Sequence, residues 1–92
     1  MALNFTWDPQ KAASNVRKHG VSFAEAATVF ADPLALFVQD SVHEDRLVLI
    51  GASSHQRVLF TVFAEVSDDT VRIISARRVT VRERRRYEEG QS

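Results

Sequence analysis

The sequence predicts an α+β domain in which a short N-terminal strand and a helical hairpin precede four antiparallel strands and a last helix. Helix-start and helix-stop residues bracket two short segments near the N-terminus. After Pro33 the pattern changes to β-branched, leucine- and phenylalanine-rich runs separated by short polar breaks. A basic segment with its own helix cap follows the last of these runs. We therefore expect residues 1–92 to form a single domain.

The first strand and the first helix are predicted from the N-terminal twenty residues. Residues 3–7 are a short apolar stretch of strand length. Asp8 suits a helix cap and Pro9 suits the first helical position, where a backbone N–H is not needed. The helix is expected to run to His19, because Gly20 favours the left-handed conformation that ends a helix.

A second helix is predicted by the capping-box spacing of Ser22 and Glu25. It is expected to end at Asp32-Pro33, because the residue before a proline avoids the helical region. Its apolar residues recur with helical period and form one stripe, namely Phe23, Ala26, Ala27 and Phe30.

The second half of the chain is predicted as a four-stranded antiparallel meander and a closing helix. Short breaks between the strands are typical of hairpins. The strands are expected at residues 34–39, 46–52, 57–66 and 71–77. Thr80 and Glu83 form a second capping box for a helix over residues 81–89, which Gly90 would stop. This helix has almost no apolar stripe.

Composition excludes several classes of protein. Hydrophobic residues make up 45% and charged residues 26%, as in ordinary globular domains. No apolar run approaches the roughly 20 residues that cross a bilayer, and the N-terminus does not have the pattern of a secretion signal. There are no cysteines, so neither disulfides nor thiolate metal sites can form. We expect a cytoplasmic protein that does not bind membranes.

The net charge of zero conceals an uneven distribution of charge. Residues 1–71 contain five basic and nine acidic residues, whereas residues 72–86 contain seven arginines and one glutamate. Arginine is permanently charged, and its planar fork matches phosphate and carboxylate groups. The sequence therefore favours an anionic partner.

Arginines at strand ends are the candidate site that the residues alone suggest. Arg46 and Arg57 flank the second hairpin and Arg77 ends the last strand, so we expect the three to converge near one end of the sheet. The alternative is that each arginine pairs with a nearby carboxylate. His19, His43 and His55 lack the spacing of metal ligands, and no metal or other cofactor is predicted.

Blocks of residues in fixed order, from Phe5 to Tyr87, resemble the BrnT family of toxins from type II toxin–antitoxin pairs. The blocks are Phe5-Thr6-Trp7-Asp8-Pro9 with Lys11 and Asn15, Lys18-His19-Gly20-Val21-Ser22-Phe23 with Glu25-Ala26, Val29-Phe30-Ala31-Asp32-Pro33, Glu44-Asp45-Arg46, Ile50-Gly51, Arg72-Ile73-Ile74-Ser75-Ala76-Arg77, Glu83-Arg84 and Tyr87. One departure is the turn before Arg57, which carries His55-Gln56 where the family often has a glycine.

The resemblance implies a RelE-like fold and a metal-independent endoribonuclease that slows translation. It also implies a BrnA-type antitoxin as partner, with DNA bound only indirectly through that antitoxin. The alternative function is a non-catalytic nucleic-acid or antitoxin-binding module that acts as a co-repressor.

RNA supplies its own nucleophile, the 2′-hydroxyl, so cleavage needs a base, cations around the phosphate and an acid. We expect Arg46, Arg57 and Arg77 to hold the phosphate. Glu44 or His43 is the expected base, and Tyr87 or a nearby arginine assists the leaving group or stacks on a base. The expected nucleic-acid contacts are Lys11, Lys18, Arg78, Arg84 and Trp7.

Overall fold

A computed structural model describes residues 2–90, in which five strands form one sheet. The strands are β1 (Asn4–Thr6), β2 (Leu36–Gln39), β3 (Leu47–Ala52), β4 (Val58–Ser67) and β5 (Thr70–Arg78). The helices in this part of the chain are α1 (Pro9–His19), α2 (Phe23–Thr28) and α3 (Val81–Glu89). None of them is long and apolar enough to cross a membrane. The predicted domain of residues 1–92 includes positions 1, 91 and 92, which lie outside the described residues.

The sheet order is β1-β5-β4-β3-β2, and it corrects the predicted architecture in one respect. Strands β2 to β5 pair antiparallel with their neighbours in sequence, as the short polar breaks predict. The N-terminal strand β1 joins the sheet as a fifth strand, parallel to β5, with Phe5 opposite Val71. The sheet is therefore mixed, because the helical hairpin carries the chain away from β1 and leaves the outer edge of β5 open for it. The Phe5 ring packs edge-on against Phe30, 5.1 Å between centroids.

Helix starts and stops follow the predicted residues, with a correction at α2. The Asp8 carboxylate accepts a hydrogen bond from the Gln10 amide at 2.8 Å, and Gly20 ends α1 with φ of 68°. Ser22 Oγ accepts from the Glu25 amide at 3.0 Å, but this capping box is only half formed because the Glu25 side chain turns elsewhere. The second helix also stops early: α2 ends at Thr28, and a 3-10 turn (Val29–Ala31) follows it.

Both faces of the sheet bury apolar side chains, which accounts for the continuous apolar runs in its strands. One core lies between the sheet and the α1–α2 hairpin, and its fully buried members include Phe23, Leu59 and Ile73. The second core lies beneath α3 and consists of Val48, Ile50, Val58 and Tyr87. A single side chain, Tyr87, thus gives the otherwise polar α3 its buried contact with the sheet, while Val81 is exposed.

Asn15 connects α1 to the part of β5 that lies beyond the reach of β1. The strand pairing of β1 ends at Arg72, so beyond that point β5 is paired with β4 on one side and has no strand on its other side. The buried Asn15 side chain donates to the Ala76 carbonyl at 2.8 Å and accepts from the Ala76 amide at 3.2 Å. Its amide group also donates to Val21 O at 2.8 Å. One side chain therefore replaces a strand partner and positions α1 against the sheet.

The turn between β3 and β4 explains why a glycine would suit the position of Gln56. Gln56 has φ of 61°, in the left-handed region that favours glycine. Hydrogen bonds from Gln56 N to Ser53 O at 2.9 Å and from Ser53 N to Arg57 O at 2.8 Å close the turn. The hairpin therefore keeps its shape with glutamine at the left-handed position.

Two threonines provide a matched test of buried hydrogen bonding. Among the described residues, Thr61 Oγ1 is a buried side-chain oxygen without a hydrogen-bond partner. The Thr28 hydroxyl donates to Glu25 O at 2.6 Å and accepts from the Ser54 amide at 2.8 Å. We expect Thr61→Val to raise the free energy of unfolding by about 1 kcal/mol and Thr28→Val to lower it by about 1 kcal/mol, as measured by urea denaturation. Equal effects of the two substitutions would contradict this account.

Candidate functional site

A buried carboxylate, Glu25, joins α2 to the β3–β4 hairpin. Its side chain is 3% exposed. Arg57 Nε donates to Glu25 Oε2 at 2.9 Å, and Arg57 Nη2 donates to Oε1, so the pair is bidentate. Ser53 Oγ donates to Oε2 at 2.7 Å. Together with His55, these residues form what we name the Glu25 cluster: Glu25, Ser53, His55 and Arg57.

His55 is the accessible member of the Glu25 cluster. Its Nδ1 lies 3.3 Å from Glu25 Oε1, while the side chain is 67% exposed. Arg57 Nη2 also donates to the Gly20 carbonyl at 3.1 Å, which brings the last turn of α1 next to the cluster. That turn carries Arg17, Lys18 and His19, all of them exposed. An exposed imidazole thus lies beside a buried, arginine-paired carboxylate, and the basic last turn of α1 ends next to that ion pair.

The charges of this ion pair are well defined at neutral pH. Hydrogen bonding to Arg57 lowers the pKa of the Glu25 carboxyl against the opposing effect of burial. The same contact raises the pKa of Arg57. Glu25 therefore stays ionised and orients its neighbours, and it is unsuited to act as a base near neutral pH.

Arg77 occupies a second ion pair on the opposite face of the sheet. Its guanidinium lies 4.0 Å from the centre of the Phe60 ring and donates to both Glu83 carboxylate oxygens at 2.8 and 2.9 Å. Hydrogen bonding to Arg77 lowers the pKa of Glu83. Glu83 also accepts from the Thr80 amide at 2.9 Å, which completes the predicted capping box of α3. Arg77 thus secures the start of α3.

Tyr87 anchors the other end of α3 rather than joining the Glu25 cluster. Its hydroxyl donates to Asp32 Oδ2 at 2.6 Å, and the same oxygen accepts from the Ala52 amide at 2.8 Å. The ring is buried in the core beneath α3. Although burial opposes the shift, these hydrogen bonds leave the pKa of Asp32 below its ordinary value.

The expected convergence of Arg46, Arg57 and Arg77 is wrong. In the β3–β4 register Leu47 lies opposite Phe63 and Ala52 opposite Val58, so Arg46 and Arg57 are at opposite ends of β3. At about 3.3 Å per residue this separates their backbones by about 20 Å. Arg57 and Arg77 do share one end of the sheet, but they lie on opposite faces of it. Counting the residues between two arginines does not give their register.

The other two predicted catalytic residues lie away from the Glu25 cluster. Glu44 is exposed in the β2–β3 loop, next to Arg46. His43, the alternative base, is in the same loop, with Nδ1 3.6 Å from Asp40 Oδ2. Within residues 2–90, no three histidine, aspartate or glutamate side chains are grouped as ligands of a metal ion.

The predicted nucleic-acid contacts are distributed over several surfaces. Lys11 and Lys18 line one groove of about 180 Å³ between α1 and β5, together with Ser14, His19 and Ser75. Arg78 at the end of β5 and Arg84 on α3 are exposed elsewhere. Trp7 is half-buried, its ring 6.0 Å from that of Phe23, and belongs to the core. The groove is the surface on which predicted contacts come together.

Glu25 and His55 are the residues that sequence reasoning missed as site residues. Glu25 was explained locally by its capping-box spacing, and His55 by its position in a polar turn. The two are thirty positions apart in the chain. The available signal was that the turn carrying His55 departs from the glycine common in the resembled family.

Comparison with known proteins identifies the family. A sequence profile described as "Ribonuclease toxin, BrnT, of type II toxin-antitoxin system" matches residues 7–83. The chain belongs to the BrnT family of ribonuclease toxins. The crystal structure of the Brucella abortus ribonuclease toxin BrnT superposes with a TM-score of 0.70 at 25% sequence identity, covering 86% of this chain and 99% of that chain. No curated protein matches the chain. Membership in this BrnT family implies an antitoxin partner.

The ion pair predicts how stability depends on acid. Because the folded-state pKa of Glu25 lies below its ordinary value of 4.5, its stabilising contribution is present above pH 4.5 and is lost as the pH falls through the folded-state value. We expect Glu25→Gln to reduce the loss of unfolding free energy between pH 7 and pH 3 by on the order of 1 kcal/mol. Urea denaturation of the wild type and the variant at both pH values measures this loss. An unchanged loss in the variant would contradict the assignment.

Proposed function

We propose that this BrnT-family chain is an endoribonuclease that cleaves RNA at the Glu25 cluster without a metal ion. The observation that carries the proposal is the exposed imidazole of His55, held 3.3 Å from a buried, arginine-paired carboxylate beside the basic end of α1. A histidine oriented by a carboxylate is a general base suited to neutral pH.

The chemistry begins with the 2′-hydroxyl of the RNA as nucleophile. With Nδ1–H of His55 directed at Glu25, Nε2 accepts the proton of that hydroxyl. The 2′-oxygen then bonds to phosphorus, the bond to the 5′-oxygen breaks, and a 2′,3′-cyclic phosphate forms. His19, exposed at the end of α1, is the group we assign to protonate the leaving 5′-oxygen.

Charge on the phosphate is balanced by Arg57 and by α1. Among the described residues, Arg57 Nη1 has no hydrogen-bond partner, so it is free to donate to a phosphate oxygen. Lys11 and Lys18 line the adjoining groove and would hold the RNA backbone. The proposal therefore retains Arg57, Lys11 and Lys18 from the sequence prediction.

The biological setting is also part of the proposal. RNA cleavage would inhibit translation in the cytoplasm, and a BrnA-type antitoxin would neutralise the toxin and provide the indirect contact with DNA. A RelE-like relationship of the fold remains a proposal as well. The alternative, a non-catalytic co-repressor, would bind nucleic acid or antitoxin and leave RNA intact.

Two exposed histidines provide the matched test of the catalytic site. His55 lies by Glu25 and His43 lies by Asp40, in turns at opposite ends of β3. We expect His55→Ala to slow cleavage of RNA in EDTA by about a hundredfold to ten-thousandfold. His43→Ala should cleave at the wild-type rate, and both variants should unfold at the wild-type urea concentration. Full activity of His55→Ala would place the chemistry elsewhere.

The residues of the original prediction are tested in the same assay. Arg46→Ala and Glu44→Ala change exposed or half-exposed side chains about 20 Å along β3 from the Glu25 cluster, and we expect them to keep activity. Arg77→Ala and Tyr87→Phe should lower stability through α3 and alter cleavage less than His55→Ala. If Arg46→Ala and Glu44→Ala lost cleavage while His55→Ala stayed active, the catalytic residues expected from the sequence would be favoured instead.

The groove between α1 and β5 generates a binding prediction. Replacing Lys11 and Lys18 by alanine should weaken RNA binding at all sequences and reduce the slope of log affinity against log salt by about 0.7 per lysine for single-stranded RNA. Binding is measured with catalytically inactive His55→Ala protein by fluorescence anisotropy at several salt concentrations. An unchanged slope would show that RNA does not contact this groove. Arg84→Ala, on the far helix, is the control.

A further inference from the structure

Strand β2 is an outer edge of the sheet with backbone groups available for pairing. It pairs with β3 alone, Leu36 opposite Ile50 and Val38 opposite Val48. The Asp40 amide donates to Arg46 O at 3.4 Å in the same register. Hydrogen-bonded pairs alternate in antiparallel sheets, so the N–H and C=O groups of Phe37 and Gln39 point away from β3.

The side chains of this edge are not those that normally protect an edge strand. Charged residues, prolines and bulges usually prevent pairing with another chain, and β2 reads LFVQ without any of them. Instead three apolar side chains are exposed there: Leu34, just before the strand, at 54%, Phe37, within it, at 58%, and Val42, in the loop after it, at 78%. We name these three residues and the strand the β2 edge.

The charge around the β2 edge selects the kind of partner. The segment that follows β2 carries three carboxylates, those of Asp40, Glu44 and Asp45, and residues 36–45 contain neither lysine nor arginine. Such a surface repels RNA, whereas it attracts a polypeptide that carries lysines or arginines. The edge lies across the sheet from the α1–β5 groove, so the two surfaces are separate.

We propose that the β2 edge binds an extended segment of the antitoxin that alternates apolar residues and carries lysine or arginine beside them. The segment adds a strand to the sheet by pairing with Phe37 and Gln39, and its apolar side chains cover Leu34, Phe37 and Val42. The choice of the antitoxin as occupant rests on the proposed toxin function. The expected sequence of the segment, apolar residues with lysine or arginine beside them, is inferred from the β2 edge alone.

A peptide titration followed by NMR of the full chain tests the chemistry. The probes are two short peptides of alternating valine and threonine, one with lysines and one with glutamates at both ends. We expect the lysine peptide to shift and protect the Phe37 and Gln39 amides and to bind about tenfold more tightly than the glutamate peptide. No binding, equal binding of both peptides, or shifts confined to another surface would overturn the proposal. Concentration-dependent shifts at β2 without peptide would assign the edge to a second copy of this chain.

Matched variants test the occupant in cells. Phe37→Asp should abolish peptide binding, while Val66→Asp, at a valine 59% exposed on the β4–β5 hairpin, should not. Both variants should cleave RNA and arrest growth, but the co-expressed antitoxin should neutralise only Val66→Asp. Neutralisation of Phe37→Asp would overturn the proposal. Absence of RNA cleavage and growth arrest in all proteins would instead contradict the ribonuclease function, and the peptide titration would still decide the edge.

Discussion

The ion pair between the buried Glu25 and the half-buried Arg57 is the interaction on which both the fold and the candidate site depend. Removing the arginine would leave the Glu25 carboxylate buried without its charged partner, which is unfavourable. Here the pair joins three separate parts of the chain, because Arg57 also binds the carbonyl of Gly20 and Glu25 accepts from Ser53. The end of α1, the start of α2 and the β3–β4 hairpin therefore hold one another in place. The same carboxylate lies 3.3 Å from Nδ1 of the exposed His55, so the contacts that hold the fold together also build the candidate site.

Two side chains hydrogen-bond to strand backbone at places where the neighbouring strand is too short to do so. Asn15 pairs with the backbone of Ala76 where β1 has ended. At the other side, the Asp32 carboxylate accepts from the Ala52 amide where β2 no longer accompanies β3. Each substitutes for a missing strand partner, because a buried backbone group without one is unfavourable. The outer side of β2 lacks such a substitute among the described residues, and unlike the three-residue β1 it continues into exposed apolar side chains.

The distribution of charge gives the molecule two different surfaces despite a net charge of zero. Lysines of α1 line the groove between α1 and β5, whereas Asp40, Glu44 and Asp45 lie in the segment after β2. The C-terminal arginines differ in whether they are available to a partner, and composition does not reveal this difference. Arg77 is committed to Glu83 and to the Phe60 ring, so it stabilises α3, while its neighbour Arg78 is exposed. A local excess of arginine is therefore not equivalent to an available cationic surface.

The sequence by itself determined the features that depend on near neighbours: Asp8 and Gly20 bound α1, Thr80 and Glu83 cap α3, and apolar runs separated by short polar breaks form the meander. It also carried the blocks that identify the BrnT family. Only the tertiary structure decided where distant residues meet, including the parallel addition of β1, the β3–β4 register and the association of Glu25 with His55. The physical reason is the distance along the chain over which each kind of interaction acts. Caps and periodicity act within one turn or one strand, whereas the packing of the whole domain decides which residues from distant parts of the chain come into contact.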